Sequence, residues 1–139
     1  MAGILRCARR PILSHLGPNL RGFSAMQAVK FGDNIPGYIV GDKGKPAVIL
    51  IQEWWGVTDG IKEKAVKVAE KGNYRVLVPD LYKGKVGVDV EEASHMMGSL
   101  DFPNAVKEIQ EAASFLKSEG HLEIAGDSLF AGFDITHEL

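Results

Sequence analysis

Two short segments of the chain place polar and aromatic residues directly after apolar runs. Residues 52–56 read Gln-Glu-Trp-Trp-Gly and follow the run 47–51, while residues 79–84 read Pro-Asp-Leu-Tyr-Lys-Gly and follow a second run, 74–78. In parallel sheets, ligands bind in the crevice at the carboxyl ends of the strands. If both runs are parallel strands, the two segments lie together at one sheet edge and face a ligand there.

Glu53 is the residue of the first segment whose side chain could take part in acid–base chemistry. It stands beside Trp54 and Trp55, an apolar setting that favours the neutral form of a carboxylic acid and suits acid–base work. The alternative is that both tryptophans cover the sheet while Glu53 faces water, and spacing alone favours this simpler interpretation. Both interpretations stay open at the level of the residues.

A strand–helix–strand unit is expected to position both segments. The run 47–51 is continuously apolar and rich in β-branched residues, which predicts a strand covered on both faces. Residues 59–71 predict a helix that begins at a Thr58 or Asp59 cap and ends at Gly72 in a left-handed conformation. Its expected buried face consists of Ile61, Ala65, Val68 and Ala69. With a second strand over 74–78, the unit predicts an α/β fold with parallel strands.

Further patterns flank this unit on both sides. Residues 27–31 and 37–40 predict two short strands that form an antiparallel hairpin at a sheet edge. Asp89 precedes a predicted helix over 90–97, and Asp101 caps another helix that ends at Gly120. The expected buried stripe of this last helix is Val106, Ile109, Ala113 and Leu116. Residues 121–125 predict the start of a third parallel strand.

Two motifs carry a family resemblance. Residues 49–57 (Ile-Leu-Ile-Gln-Glu-Trp-Trp-Gly-Val) and 76–84 (Val-Leu-Val-Pro-Asp-Leu-Tyr-Lys-Gly) resemble the dienelactone hydrolase (carboxymethylenebutenolidase-like) family of the α/β-hydrolase superfamily. Their order and separation also match, and the resemblance runs from about Met26 to Gly120. It implies a partial α/β-hydrolase fold, a mostly parallel sheet with flanking helices that lacks the C-terminal strands. It also implies hydrolysis of small esters or lactones by a Cys-His-Asp triad, with no metal and no cofactor.

The resemblance assigns roles to four residues of this chain. Glu53 matches the carboxylate that holds the resting nucleophile, and the backbone N–H of Trp54 matches one of the two oxyanion-hole donors. An oxyanion donor from this loop agrees with the general α/β-hydrolase plan. Tyr82 and Lys83 match positions that line the substrate pocket. Well-known members carry arginine at the second position for the substrate carboxylate, whereas Lys83 is a point charge without the fork of arginine, so a different ester or lactone is as good a candidate substrate as a dienelactone.

The nucleophile of the family has no counterpart in this chain. The family continues after a residue like Gly120 into a strand and the turn Gly-x-Cys-x-Gly-Gly, whereas residues 126–130 read Gly-Asp-Ser-Leu-Phe. The bulky Phe130 would clash in a tight nucleophile turn. A triad of Ser128, Asp134 and His137 has the right order, but only 11 residues follow Ser128, too few for the intervening elements.

We therefore expect a C-terminally truncated family member without a working triad. The alternative is a non-catalytic fragment that self-associates through an exposed sheet edge or pairs with a full-length relative. An alternative transcript end, an intron read-through and an incomplete gene model are all consistent with the change of sequence after Gly120. The expected organisation is a leader over 1–24, an N-terminal half-domain over 25–120 and a divergent tail over 121–139.

The leader has the composition of an organelle transit peptide. Residues 1–32 hold five basic residues and no acidic one, and Pro11 and Pro18 interrupt any long helix. Residues 21–24, Arg-Gly-Phe-Ser, resemble a mitochondrial processing site. We expect mitochondrial import, with a plastid address as the alternative and a cytoplasmic location if the basic segment is not functional.

Composition excludes several other classes of protein. No apolar run reaches the roughly 18 residues of a membrane span, so no membrane partner is expected. The net charge of −2 argues against a nucleic-acid binder, which usually carries a basic face. Cys7 is the single cysteine, so the chain forms no internal disulfide.

Overall fold

The computed structural model describes residues 25–120 and the backbone of residues 124–128. The predicted transit peptide, most of the predicted tail, and the candidate triad partners Asp134 and His137 lie outside this part of the chain. In the part that is described, no helix is long and apolar enough to cross a membrane.

The strands form one sheet in the order β1-β2-β4-β3-β5. The first two strands pair antiparallel with each other, and β2 also pairs antiparallel with β4. Strand β3 pairs parallel with β4 on one side and with β5 on the other. The predicted edge hairpin and the predicted third parallel strand are therefore confirmed. The strand bounds are Gln27–Phe31 for β1, Ile35–Val40 for β2, Ala47–Ile51 for β3, Arg75–Pro79 for β4 and Ile124–Ser128 for β5.

The chain has three helices in its described part, each beginning at a side-chain cap, and α1 and α3 cover the two faces of the sheet. Helix α1 spans Asp59–Gly72, and the Thr58 hydroxyl accepts the Ile61 N–H at its start. Helix α2 spans Val90–Gly98 after the Asp89 cap, and α3 spans Phe102–Ser118 after the Asp101 cap. All three helices were predicted, and Thr58 rather than Asp59 is the cap of α1.

Strand β3 is buried on both faces, as its continuous apolar run predicted. Ile49 and Ile51 belong to the core on the side of α3. Leu50 belongs to the core on the side of α1, where it joins Ile61 and Ala65. Successive side chains of a strand point to opposite faces of the sheet. Helix α3 therefore covers Ile49 and Ile51 on one face, and α1 covers Leu50 on the other.

Two details of the predicted helices are wrong. The left-handed residue after α1 is Asn73, with φ of 54°, and Gly72 is still helical. Asparagine tolerates this conformation, whereas a Cβ on Gly72 would lie 2.0 Å from the Tyr74 ring; glycine is required there for close approach. In α3, Val106 is half-buried, and Glu108 takes a buried place instead.

Candidate active site

The segment after β3 forms a tight turn. The Gly56 N–H donates to the Glu53 carbonyl at 2.9 Å, which places Trp54 and Trp55 at the tip. The two indole rings lie 5.0 Å apart with an interplanar angle of 62°, an edge-to-face arrangement that aromatic pairs prefer. The Trp54 N–H is not part of the hydrogen bond that closes the turn.

Gly56 fixes this turn against the loop that follows β4. Its backbone forms an antiparallel bridge with Val86, and the Gly87 N–H donates to the Trp55 carbonyl at 2.9 Å. Gly56 has φ of 95°, and a Cβ there would lie 2.5 Å from the Lys85 carbonyl oxygen. Only glycine permits this approach of two backbones, so the two candidate segments are in direct backbone contact.

The structure locates the two residues that were predicted in this turn. Glu53 and Trp54 are both half-buried at the carboxyl end of β3. The Trp54 N–H makes no hydrogen bond to any residue that the structure describes. An oxyanion donor must be free to donate to a ligand, and the Trp54 N–H meets this one requirement within the described part of the chain.

Gln52 connects the ends of the two parallel strands. Its side chain is buried, and its Oε1 accepts the Leu81 N–H at 2.8 Å. The loop after β4 is further organised by Asp80, whose Oδ2 accepts the Gly84 N–H at 2.8 Å. The Asp80 Oδ1 is buried and has no partner among the described residues.

Tyr82 and Lys83, the predicted substrate residues, line one cleft of about 340 Å³ between the β4 loop, α2 and α3. The Tyr82 ring lies against Gly56, so it joins the cleft to the turn of Glu53 and Trp54. The pKa of Tyr82 is raised by burial, which keeps its hydroxyl neutral and able to donate.

Glu108 also lines this cleft, and sequence reasoning missed it. Its Oε2 lies 2.5 Å from the Lys83 Nζ, and its Oε1 accepts the Asn104 Nδ2–H at 3.0 Å. An acid in the middle of the apolar stripe of α3 was the available signal, because a buried acid is rare unless it is paired. The partner, 25 positions earlier in the chain, was not evident from helical spacing.

Ser128 is the last residue of β5, and its backbone pairs with Ile51 at the end of β3. The parallel register therefore brings it to the same sheet edge as Glu53 and Trp54. Its candidate partners Asp134 and His137 are outside the described residues, so the triad stays a prediction. Within the described part of the chain, no group of acidic, His or Cys residues is arranged to hold a metal ion.

The buried carboxyl of Asp80 predicts a pH-dependent stability. Burial raises its pKa above the ordinary 3.8, although hydrogen bonds from Gly84 and Tyr82 oppose the shift. A group whose pKa is higher in the folded state stabilises the folded protein fully at a pH below its pKa in the unfolded chain. This contribution is lost as the pH rises through the pKa of the folded state. We expect Asp80→Asn to melt above the wild type at pH 7, because the amide keeps an acceptor for Gly84 without the buried charge. The advantage should shrink towards pH 4 in circular dichroism melts; a lower melting temperature at pH 7 would contradict it.

The chain belongs to the dienelactone hydrolase family, whose family model matches residues 35–124. It is 34% identical over 84 residues to the protein usf of Aquifex pyrophilus, covering 58% of this chain and 36% of that protein. The predicted family is therefore confirmed.

Two solved structures show the same fold. A dienelactone hydrolase-like promiscuous phosphotriesterase from metagenomic libraries superposes with a TM-score of 0.61 at 22% identity, covering 75% of this chain and 48% of that one. A protein named m3DLH superposes with a TM-score of 0.62 at 21% identity, with the same two coverages. The chain thus spans about half the length of these structures and about a third of the relative from Aquifex. The α/β-hydrolase fold predicted from the motifs is confirmed.

Proposed function

We propose that this chain carries the oxyanion loop and the substrate cleft of a hydrolase for small esters or lactones, and that it binds such compounds without hydrolysing them. The main support for this proposal is the turn of residues 53–56, which holds the Trp54 N–H at the carboxyl edge of the sheet. Tyr82 packs against this turn and lines the adjoining cleft. In this proposal, the carbonyl of an ester or lactone bound in the cleft accepts a hydrogen bond from the Trp54 N–H.

The chemistry follows from the geometry of the turn. When a nucleophile attacks an ester carbonyl, negative charge develops on its oxygen, and a preorganised N–H stabilises that charge without reorganisation. Gly56 supplies the preorganisation through its contacts with the β4 loop. Glu53, by resemblance to the family, would hold a nucleophile in its resting state. In the segment that resembles the nucleophile turn of the family, Ser128 stands in place of the cysteine and Phe130 in place of a glycine, which supports binding without turnover.

The test combines an activity assay with a binding assay on the full chain. Trp54 and Trp55 are the two tryptophans of the protein, so tryptophan fluorescence reports directly on the proposed site. We expect a saturable fluorescence change with an uncharged γ-lactone and no p-nitrophenyl acetate hydrolysis above the buffer blank. The absence of any saturable change would refute binding. Hydrolysis that Ser128→Ala abolishes would refute the non-catalytic part of the proposal.

A second candidate function is self-association through the sheet edge. Among the described residues, β5 pairs with β3 on one side and has no strand on the other. An unpaired strand edge offers backbone donors and acceptors to a second chain. Light scattering of the full chain should then give a stoichiometric oligomer, and a monodisperse monomer would exclude this candidate.

We also propose mitochondrial import, on the basic and acid-free composition of residues 1–24. A fluorescent reporter fused to residues 1–30 should enter mitochondria. Plastid import would support the alternative address, and a cytosolic reporter would refute a targeting role.

A further inference from the structure

We infer that the cleft beside Tyr82 selects ligands that carry no charge, and that Glu108 is the residue that sets this selectivity. The inference rests on the proposed function, because it assumes that the cleft receives the ester or lactone. It concerns the choice between a carboxylate-bearing substrate and an uncharged one, which the family resemblance leaves open.

Glu108 is a buried acid that forms an ion pair with Lys83. The residue is 9% exposed and lies on α3 across from the β4 loop. Its two carboxylate oxygens are both engaged, Oε2 by the Lys83 ammonium at 2.5 Å and Oε1 by the Asn104 amide at 3.0 Å. A buried acid keeps its charge only with such partners, so Lys83 compensates Glu108 first.

The charges around the cleft balance. Among the described residues, its lining carries Lys83 and Lys85 against Asp101 and Glu108, with His95 counted as neutral. The formal sum is therefore zero. The remaining lining includes the apolar side chains of Leu81, Met96, Leu100 and Ala105.

A ligand carboxylate would gain little in such a cleft. If it displaced Glu108 from Lys83, it would leave a buried acid without its cation, which is strongly unfavourable. If it approached the exposed side of the Lys83 ammonium instead, the negative charge of Glu108 would oppose it. An uncharged ester or lactone meets neither cost and can use the apolar lining.

The experiment measures the affinity of the full chain for two matched probes by titration calorimetry. One probe is a γ-butyrolactone bearing a methyl ester, and the other is the same lactone bearing a free carboxylate. The wild type should prefer the uncharged probe by about tenfold or more. Glu108→Gln should reverse or abolish that preference by strengthening carboxylate binding about tenfold, because Lys83 then loses the carboxylate that pairs with it directly.

Glu111→Gln is the matched control, since Glu111 lies on the same helix and does not line the cleft. It should leave the preference unchanged. Lys83→Gln provides a second variant in case Glu108→Gln fails to fold. It leaves Glu108 uncompensated, so it should weaken carboxylate binding further and strengthen binding of an ammonium-bearing ester.

The outcomes separate this inference from the proposed function. If the wild type binds neither probe, the proposed function fails and the inference fails with it. If it binds both probes but the preference is the same in the wild type, Glu108→Gln and Lys83→Gln, the site stands and the role of Glu108 is refuted. A wild-type preference for the carboxylate probe would also refute it.

Discussion

Replacement of Gly56 by alanine is expected to destabilise the protein by about 3 kcal/mol and to abolish the lactone-dependent fluorescence change. The residue has φ of 95°, a conformation that costs a non-glycine residue about 1–3 kcal/mol. The added Cβ would also lie 2.5 Å from the Lys85 carbonyl oxygen, so the turn and the β4 loop must separate. Chemical denaturation and the fluorescence titration measure the two effects.

Gly60→Ala is the control for this change. Gly60 lies in the first turn of α1, where the nearest atom to an added Cβ is the Thr58 hydroxyl oxygen at 3.6 Å. Alanine suits a helix better than glycine, by up to about 1 kcal/mol, so this variant should be neutral or slightly more stable and should bind the lactone normally. If Gly56→Ala behaved like Gly60→Ala, the fixed turn would not be the basis of the site.

The second large effect is expected for Arg75→Met, which should cost about 3 kcal/mol of unfolding free energy. Arg75 is the buried first residue of β4, and its guanidinium pairs with Glu119 at 3.2 Å and donates to the Gly41 carbonyl. Both side chains are 10% exposed. Removing one partner of a buried ion pair leaves the other charge poorly compensated, which costs about 3–5 kcal/mol.

Lys43→Met removes the second, solvent-exposed ion-pair partner of Glu119. Lys43 lies 2.9 Å from Glu119, but its own side chain is 70% exposed. Exposed ion pairs contribute at most about 1 kcal/mol, so this variant should stay close to the wild type. Equal losses for Arg75→Met and Lys43→Met would show that burial does not decide the strength of this network.

The same network predicts how stability changes in acid. Burial alone would raise the pKa of Glu119, but Lys43 and Arg75 outweigh it and hold the pKa below the ordinary 4.5. A group whose pKa is lower in the folded state stabilises the folded protein fully at a pH above its pKa in the unfolded chain. This contribution is lost as the pH falls through the pKa of the folded state. The wild type should therefore lose more stability than Arg75→Met when the pH is lowered below about 4.5.

The parts of the fold that follow from local patterns were predicted from the sequence. Strand β3 has the bounds of its apolar run, because a strand buried on both faces needs an unbroken run of apolar residues. Helix α1 was predicted within one residue at its end, and Ile61, Ala65 and Ala69 of its expected face are buried. Val68 is half-buried instead, at the margin of the stripe.

The parts that depend on distant contacts were not predicted. The sequence pattern predicts Gly72 as the left-handed residue, because local spacing does not show that the Tyr74 ring packs over it. The pattern of α3 does not predict a role for Glu108, because its partner Lys83 lies on another element. The role of Gly56 depends on the loop at Lys85 and Val86, and no local pattern indicates such an approach.

The candidate site was reached by resemblance more than by pattern. The order of strands and loops predicted that the segments of Glu53 and Tyr82 lie at one sheet edge, and in the structure Gly56 joins these two segments. The assignment of Trp54 as an oxyanion donor and of Lys83 as a substrate contact came from the family. The pairing of Lys83 with Glu108 changes what that lysine offers a ligand, and it could be found only in three dimensions.

The most direct test of the account is a titration of the uniformly ¹⁵N-labelled full chain with an uncharged γ-lactone, followed by amide chemical shifts. We predict that the backbone amide of Trp54 shifts and saturates together with that of Tyr82, because the ligand carbonyl accepts the Trp54 N–H while the ring of the lactone enters the cleft. Saturating shifts that appear elsewhere and spare both amides would contradict the proposed site.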